Sequence, residues 1–263
     1  MKQLTGVFSA KKKNGELYYR SSITYRKKHI SLGSFLKETE AHKAYLEADR
    51  ILKNPQLSID HYHPSDLSLE KAVVLFNFRD NGVYIGTPIY IRNRFFQYYL
   101  SKELVLTFDI DDLFYYSSHK IMKRGGHFFV ADYGMQVNIL NRYGIKNFGV
   151  KNRDYLFKNG DDTDFRYENI QIINRFHGVF QIKKNERTFY KVKIHINGDY
   201  IVGIYSDEIT AAIAYNKAAD VVRQKGYHKN FPVNFIENLL PSQYADIYSR
   251  VEISEKLLHL TQL

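Results

Sequence analysis

Carboxylates and imidazoles are the side chains here that could hold a metal ion or move a proton, and they gather in two stretches. Asp60, His61 and His63 sit beside Pro64, and two imidazoles with a carboxylate form an ordinary zinc ligand set. Histidines two apart in a polar loop are nonetheless more often solvated than liganded. Asp154, Asp161, Asp162 and Asp164 surround the Asn159-Gly160 turn, where hard carboxylate oxygens would suit magnesium. Acids around an Asn-Gly turn commonly do no more than keep a loop in water. His119, His127 and His177 lie nearby in the sequence. The chain has no cysteine, so disulfides and thiolate zinc sites are excluded too. These residues lead us to expect no catalytic set, no metal and no cofactor.

A second chemistry, the binding of a polyanion, is better represented. Formal net charge is +10 over 263 residues, which favours nucleic acid over an acidic small molecule. Residues 6–33 carry Lys11, Lys12, Lys13, Arg20, Arg26, Lys27 and Lys28 against Glu16 alone, whereas residues 34–53 balance Lys37, Lys43, Arg50 and Lys53 with Glu38, Glu40, Glu47 and Asp49. Residues 178–203 repeat the excess with Lys183, Lys184, Arg187, Lys191 and Lys193 against Glu186 and Asp199, and residues 204–226 are again balanced. The charge therefore lies on strand-like segments, not on the basic amphipathic helix that a membrane surface selects. No apolar leader opens the chain and no run of about 18 apolar residues occurs, so neither export nor membrane spanning is expected.

The elements that position these cations occur twice. Gly6-Val7-Phe8 aligns with Gly178-Val179-Phe180, Ile23 with Ile194, Gly33 with Gly203, Phe35 with Tyr205, and Ala44-Tyr45 with Ala214-Tyr215. A duplicated module usually carries a duplicated binding surface. Tyr190, Val192, Ile194 and Ile196 alternate with Lys191, Lys193 and His195, the period of a strand with one face buried and one wet. In the first copy Tyr19, Ser21 and Ile23 take the inward places, and Arg20, Ser22 and Thr24 the outward ones. Asn14-Gly15 and Asn197-Gly198 are hairpin turns. Ser206 is placed to cap a helix whose small residues, Ala211 to Ala219, suit close packing on a sheet.

Three antiparallel strands and one packed helix, opening on Gly-Val-Phe and closing in the second copy on Asn230-Phe231-Pro232 with Asn234-Phe235, resemble the AP-two type DNA-binding domain of plant ethylene-response factors. Tyrosines stand where that family commonly places strand tryptophans. The resemblance implies a sheet that enters the major groove of duplex DNA. It makes Lys11, Lys13, Arg20, Ser22, Thr24, Arg26 and Lys28 in the first module, and Lys183, Arg187, Lys191, Lys193, His195 and Asn197 in the second, the DNA-binding residues.

Between the modules, Leu69 to Phe78 is a candidate apolar helix, Asn81-Gly82 a candidate hairpin turn, and Phe95, Phe96, Tyr98 and Tyr99 candidate core. Residues 104–175, with Lys158-Asn159-Gly160-Asp161 followed by Asp164-Phe165-Arg166 and Asn169, resemble the HNH homing-endonuclease family, in which a β-hairpin and helix surround one divalent metal. The resemblance places Leu156 and Phe157 where that family has its metal-binding Asp and its general-base His, and Val137-Asn138-Ile139 near its upstream histidine. It therefore implies a retained scaffold without catalysis, with Lys151, Arg153, Lys158 and Arg166 left as DNA backbone contacts.

The expected fold class is α+β: two small modules, each a three-stranded antiparallel sheet with a helix, flanking a degenerate HNH-like (ββα-metal-like) domain. The expected segments are 1–54 (first module), 55–103 (connecting α/β segment), 104–175 (HNH-like), 176–236 (second module) and 237–263 (a C-terminal helix packing back on the second module). The expected function is non-catalytic, sequence-specific binding of double-stranded DNA at a bipartite site by a cytoplasmic, nucleoid-associated transcription regulator derived from a homing endonuclease. It would act as a monomer, with a dimer left open. The alternatives are an active or nicking endonuclease with an atypical metal site, and an architectural or RNA-binding protein.

Overall fold

The basic strands form the sheets that their alternation suggests. In the computed structural model, which describes residues 4–260, β1 (Val7–Lys11), β2 (Leu17–Tyr25) and β3 (Lys28–Phe35) make an antiparallel sheet in that order, backed by α1 (Glu38–Lys53). Ala41, Ala44 and Ala48 are fully buried on one side of α1, and their small side chains let the helix lie close to the sheet. Next come α2 (Leu69–Asn81), a second sheet of β4 (Ile89–Ile91), β5 (Phe95–Tyr99) and β6 (Val105–Asp109), and α3 (Leu113–Ser118). A third sheet follows, made of β7 (Ile121–Arg124), β8 (His127–Asp132) and β9 (Met135–Asn138). A hairpin of β10 (Tyr155–Phe157) and β11 (Ile170–Ile172) leads into β12 (Val179–Lys184), β13 (Arg187–His195) and β14 (Asp199–Tyr205), backed by α4 (Glu208–Gln224). Two short helices, α5 (Pro241–Arg250) and α6 (Glu255–Leu258), close the described chain. The architecture is mixed α+β, built from several small antiparallel sheets. Among the described residues no helix is long and apolar enough to cross a membrane.

Contacts divide the chain into two compact units, Met1–Ile139 with Asp161–Asn169, and Leu140–Gly160 with Ile170–Leu263. The first unit gains residues 161–169 through Thr107, whose N–H donates to Thr163 O at 2.9 Å and whose carbonyl accepts from Phe165 N at 2.8 Å. The boundary thus runs inside the 104–175 stretch. In the first unit, Ile23, Ile30 and Leu32 of the sheet and Ile51 of α1 share one core with Ala72, Leu75 and Phe76 of α2. Burying each such aliphatic side chain is worth about 1.5–3 kcal/mol. In the second unit, Val192, Ile194 and Val202 pack with α4, Phe231 and Ile236, and with Val251 and Leu257 from the tail. The tail is fastened by Ser254 N to Val202 O (2.8 Å) and Tyr205 Oη to Glu252 O (2.7 Å). It packs against the strands of the second unit, in two helices where one was expected.

The duplication extends to detail that the sequence alignment did not specify. Val7 pairs with Ser21 and Ser21 with Gly33; Val179 pairs with Val192 and Val192 with Gly203. A β-bulge follows at the same place in both sheets, between Ser21 and Ser22 and between Val192 and Lys193. The displaced amide is captured identically, Ser22 N by Gly6 O at 3.0 Å and Lys193 N by Gly178 O at 2.8 Å. Both glycines have positive φ, +77° and +71°, and lie against the ring of a helix tyrosine, Tyr45 or Tyr215.

Some local expectations change. Asn81-Gly82 ends α2, with Gly82 at φ 74° as the left-handed stop, because glycine terminates a helix as readily as it turns a hairpin. The N-cap of α4 is Asp207, which accepts from Thr210 N at 2.8 Å, one residue after Ser206. Leu240, not Ser242, precedes the first turn of α5.

Glu47 is a buried carboxylate of the first unit, 5% exposed. It accepts from Tyr62 Oη (2.8 Å) and from the amides of Ser65 (2.9 Å), Asp66 (2.6 Å) and Leu67 (2.8 Å), so it organises the loop before α2. Burial pushes its pKa up, but these hydrogen bonds outweigh it and hold the group below its ordinary 4.5. A lowered folded pKa means that the stabilisation is present above the unfolded value and disappears as pH falls through the folded one. Glu47→Gln is expected to cost roughly 2–3 kcal/mol at neutral pH, since one amide nitrogen then faces donors. Urea unfolding of the two proteins across pH 7 to 3 checks this: the gap should close below pH 4.5.

Candidate nucleic-acid interface

Strand parity places the expected readers. On the first sheet Arg20 lies opposite Phe8, Ser22 opposite Ser31, and Thr24 opposite His29, all on the face away from α1. Phe8, Arg20, Ser22, His29 and Ser31, with Ser21, line a shallow open groove of about 390 Å³. Arg20 donates to Tyr18 Oη from Nη2 (2.6 Å) and Nε (3.1 Å). A guanidinium fixed in one orientation is prepared for two-point hydrogen bonding. Ser22 is only 9% exposed, so it sits at the floor of the groove.

The other expected residues of this module lie elsewhere. Arg26 and Lys27 form the β2–β3 turn at positive φ, 45° and 65°. Arg26 donates to Phe78 O at 3.3 Å, near the end of α2, where a cation complements the helix dipole. Lys28 sits over the Tyr84 ring, 4.8 Å from its centre. Lys11 pairs with Leu17 at the exposed end of the first hairpin, on the inward parity, and Lys13 is in the turn itself. The structure therefore brings together Arg20, Ser22 and Thr24, and separates them from Arg26 and Lys28.

The second sheet presents Lys191 opposite Phe180, with Lys193 and His195 further along β13. Lys193 and an incoming loop residue, Arg153, both approach the Phe180 ring, 5.8 and 5.6 Å from its centre. Arg153 thus joins this face, although it also pairs with Asp154 at 2.7 Å. Asp199 accepts from or pairs with both His195 (2.9 Å) and Lys193 (3.6 Å). The hydrogen bond from His195 holds the Asp199 carboxyl below its ordinary range. Ile201 and Ile204 are half exposed, at 50% and 57%. Lys183 and Arg187 stand at the hairpin end, and Asn197 accepts weakly from Tyr200 Oη at 3.4 Å. This face is more apolar and more internally paired than the first.

Phe8, His29, Ser31, Phe180 and Asp199 were missed by reading β2 and β13 alone. Pairing across the turns would have found them, because each lies directly opposite, or diagonal to, a residue already singled out.

The stretch expected to be HNH-like forms a hairpin but not the helix expected after it. Leu156 and Phe157 lie on β10, paired with Gln171 and Ile170, and Phe157 is buried at 7%. Residues 173–178 pass to β12 without a helix, so the helix that the resemblance implies after the hairpin does not form. The nearby acids have structural duties. Asp154 is 5% exposed and accepts from Val150 N, Arg153 and Asn174 Nδ2. Asp164 receives both Nε and Nη2 of Arg166, at 2.9 and 2.7 Å. Asp161 accepts from Thr163 N and Oγ1. Asp154 and Asp164 belong to different compact units. Among the described residues no three His, Asp or Glu side chains form a group that could hold a metal ion. Of the remaining basic residues, Arg166 belongs to the first unit, and Lys151 and Lys158 to the second; Lys151 sits over the Phe157 ring at 5.7 Å.

His119, His177 and His63 are likewise occupied. His119 stacks on Tyr115 at 4.1 Å and lies 3.6 Å from Asp132. His177 is wedged between Phe148 and Tyr215, where burial pushes its pKa down, with Arg153 adding to the shift. Asp60 pairs with Arg92, and His63 with Lys102. Compared with known proteins, the chain matches no family model, no curated protein and no solved structure.

Proposed function

We propose that this protein is a sequence-specific, double-stranded DNA-binding protein without catalytic activity, a transcription regulator that reads a bipartite site with the outward faces of its two sheet-and-helix modules. The observation that carries the reading is the paired construction. Register, bulge, glycine carbonyl and tyrosine contact repeat between the modules, while the outward residues differ, Arg20, Ser22 and Thr24 against Lys191, Lys193 and His195. A scaffold kept constant beneath a varied polar face is what two readers of different half-sites need. Arginine can bridge guanine O6 and N7, hydroxyls adapt to either partner, and lysine neutralises phosphate. Joining two weak readers in one chain raises affinity through effective concentration. We further propose that the modules are of the AP-two type and that the hairpin of β10 and β11 is the remnant of an HNH nuclease.

Two measurements test this reading. Binding to duplex DNA should weaken with salt, with a log–log slope of about −5 if some six phosphates are neutralised. Supercoiled plasmid incubated with the protein and Mg²⁺ or Mn²⁺ should stay unnicked. EDTA-sensitive nicking would overturn the non-catalytic assignment, and a flat salt response the DNA assignment.

A further inference from the structure

We infer that the sheet β7–β9 is a third contact surface for double-stranded DNA, an inference that rests on the reading of this chain as a DNA-binding protein. One face of the sheet is anchored by Ile121 and Val130, paired with each other and 2% and 1% exposed. The alternate positions, among them Met122, Arg124, His127, Phe129 and Gln136, share the opposite face. Arg124, His127 and Gln136 are exposed and Phe129 is half-buried beside His127, with ring centres 6.3 Å apart. No carboxylate falls on this parity: Asp132 lies opposite Met135 on the other one, 3.6 Å from His119. The face therefore offers a guanidinium, an imidazole and an amide with no local anion to occupy them. Its charge complements a polyanion, and arginine and glutamine are side chains that can address guanine and adenine edges.

The turns add an independent observation. Gly125-Gly126 and Tyr133-Gly134 both have positive φ at both positions, the two-residue turn that matches strand twist. Glycine takes that conformation freely, but Tyr133 adopts it at φ 46° while 96% exposed. A large ring held in a disfavoured conformation, in contact with solvent alone, gains the fold nothing. It could stack on a base or a sugar at the edge of a groove that admits a β-ribbon.

The test uses the full chain and a mixed-sequence DNA duplex, followed by fluorescence anisotropy over a salt series. Arg124→Ala combined with Gln136→Ala should weaken binding about tenfold and make the salt slope shallower by about one. Tyr133→Asn, better suited to positive φ, should weaken binding while leaving the melting temperature equal or higher. Unchanged affinity and slope in these variants, with Arg20→Ala still weakened, would overturn the third surface and leave the two-module reading standing. Weakening in these variants with Arg20→Ala and Lys191→Ala unaffected would support the third surface and overturn the assignment of the two module faces. A wild-type chain that binds no duplex would overturn both.

Discussion

Replacing Gly178 by alanine is expected to cost the second unit about 2–4 kcal/mol, and Gly6→Ala to cost the first a similar amount. A Cβ on Gly178 would lie 2.5 Å from Lys193 O and 2.5 Å from Tyr215 Cδ2, and one on Gly6 would lie 2.0 Å from Tyr45 Cδ2. Neither backbone can simply retreat, because each glycine carbonyl accepts the displaced amide at its bulge. The positive φ adds about 1 kcal/mol, and forced overpacking about 1–3 more. Urea unfolding of the two variants measures this directly, and losses under about 1 kcal/mol would mean that the shared glycine–tyrosine contact is not what fixes each helix on its sheet.

Arg20→Ala should lower affinity for the selected site about 10–100-fold, the loss of one two-point base contact. Arg20→Lys should rescue little of it, since an ammonium cannot reproduce the planar fork. Arg26→Ala provides the contrast. Its guanidinium serves Phe78 O, so its removal should cost stability by about 1 kcal/mol and leave site preference intact. Competition binding with single-base variants of the site, beside a melting curve for each protein, separates the two roles. A preference relaxed by Arg26→Ala and untouched by Arg20→Ala would reverse the assignment.

The alternation of Lys191, Lys193 and His195 with buried Val192, Ile194 and Ile196 was legible because a two-residue period survives any tertiary context in which one face is covered. The alanine helices were legible for a related reason: small residues at helical spacing leave few other arrangements. The intramolecular partners of Arg26 and Lys28, Phe78 and Tyr84, could not be read in advance because they lie about fifty residues away, and local pattern carries no information about them. Asn81-Gly82 was misjudged because one dipeptide serves both a hairpin and a helix stop. The interleaving of residues 161–169 with the first unit depends on backbone hydrogen bonds to Thr107, which no side-chain pattern announces. The missing helix after β11 was not readable, because its absence reflects the chain turning directly into β12.

The central claim is that two matched modules read two different half-sites on one duplex. Selection of bound sequences from a random duplex library by the intact protein tests it most directly. The expected result is one enriched motif with two dissimilar halves at fixed spacing, of which the first half alone degrades in Arg20→Ala and the second alone in Lys191→Ala. Enrichment of no motif, or of a single undivided one insensitive to both substitutions, would contradict it.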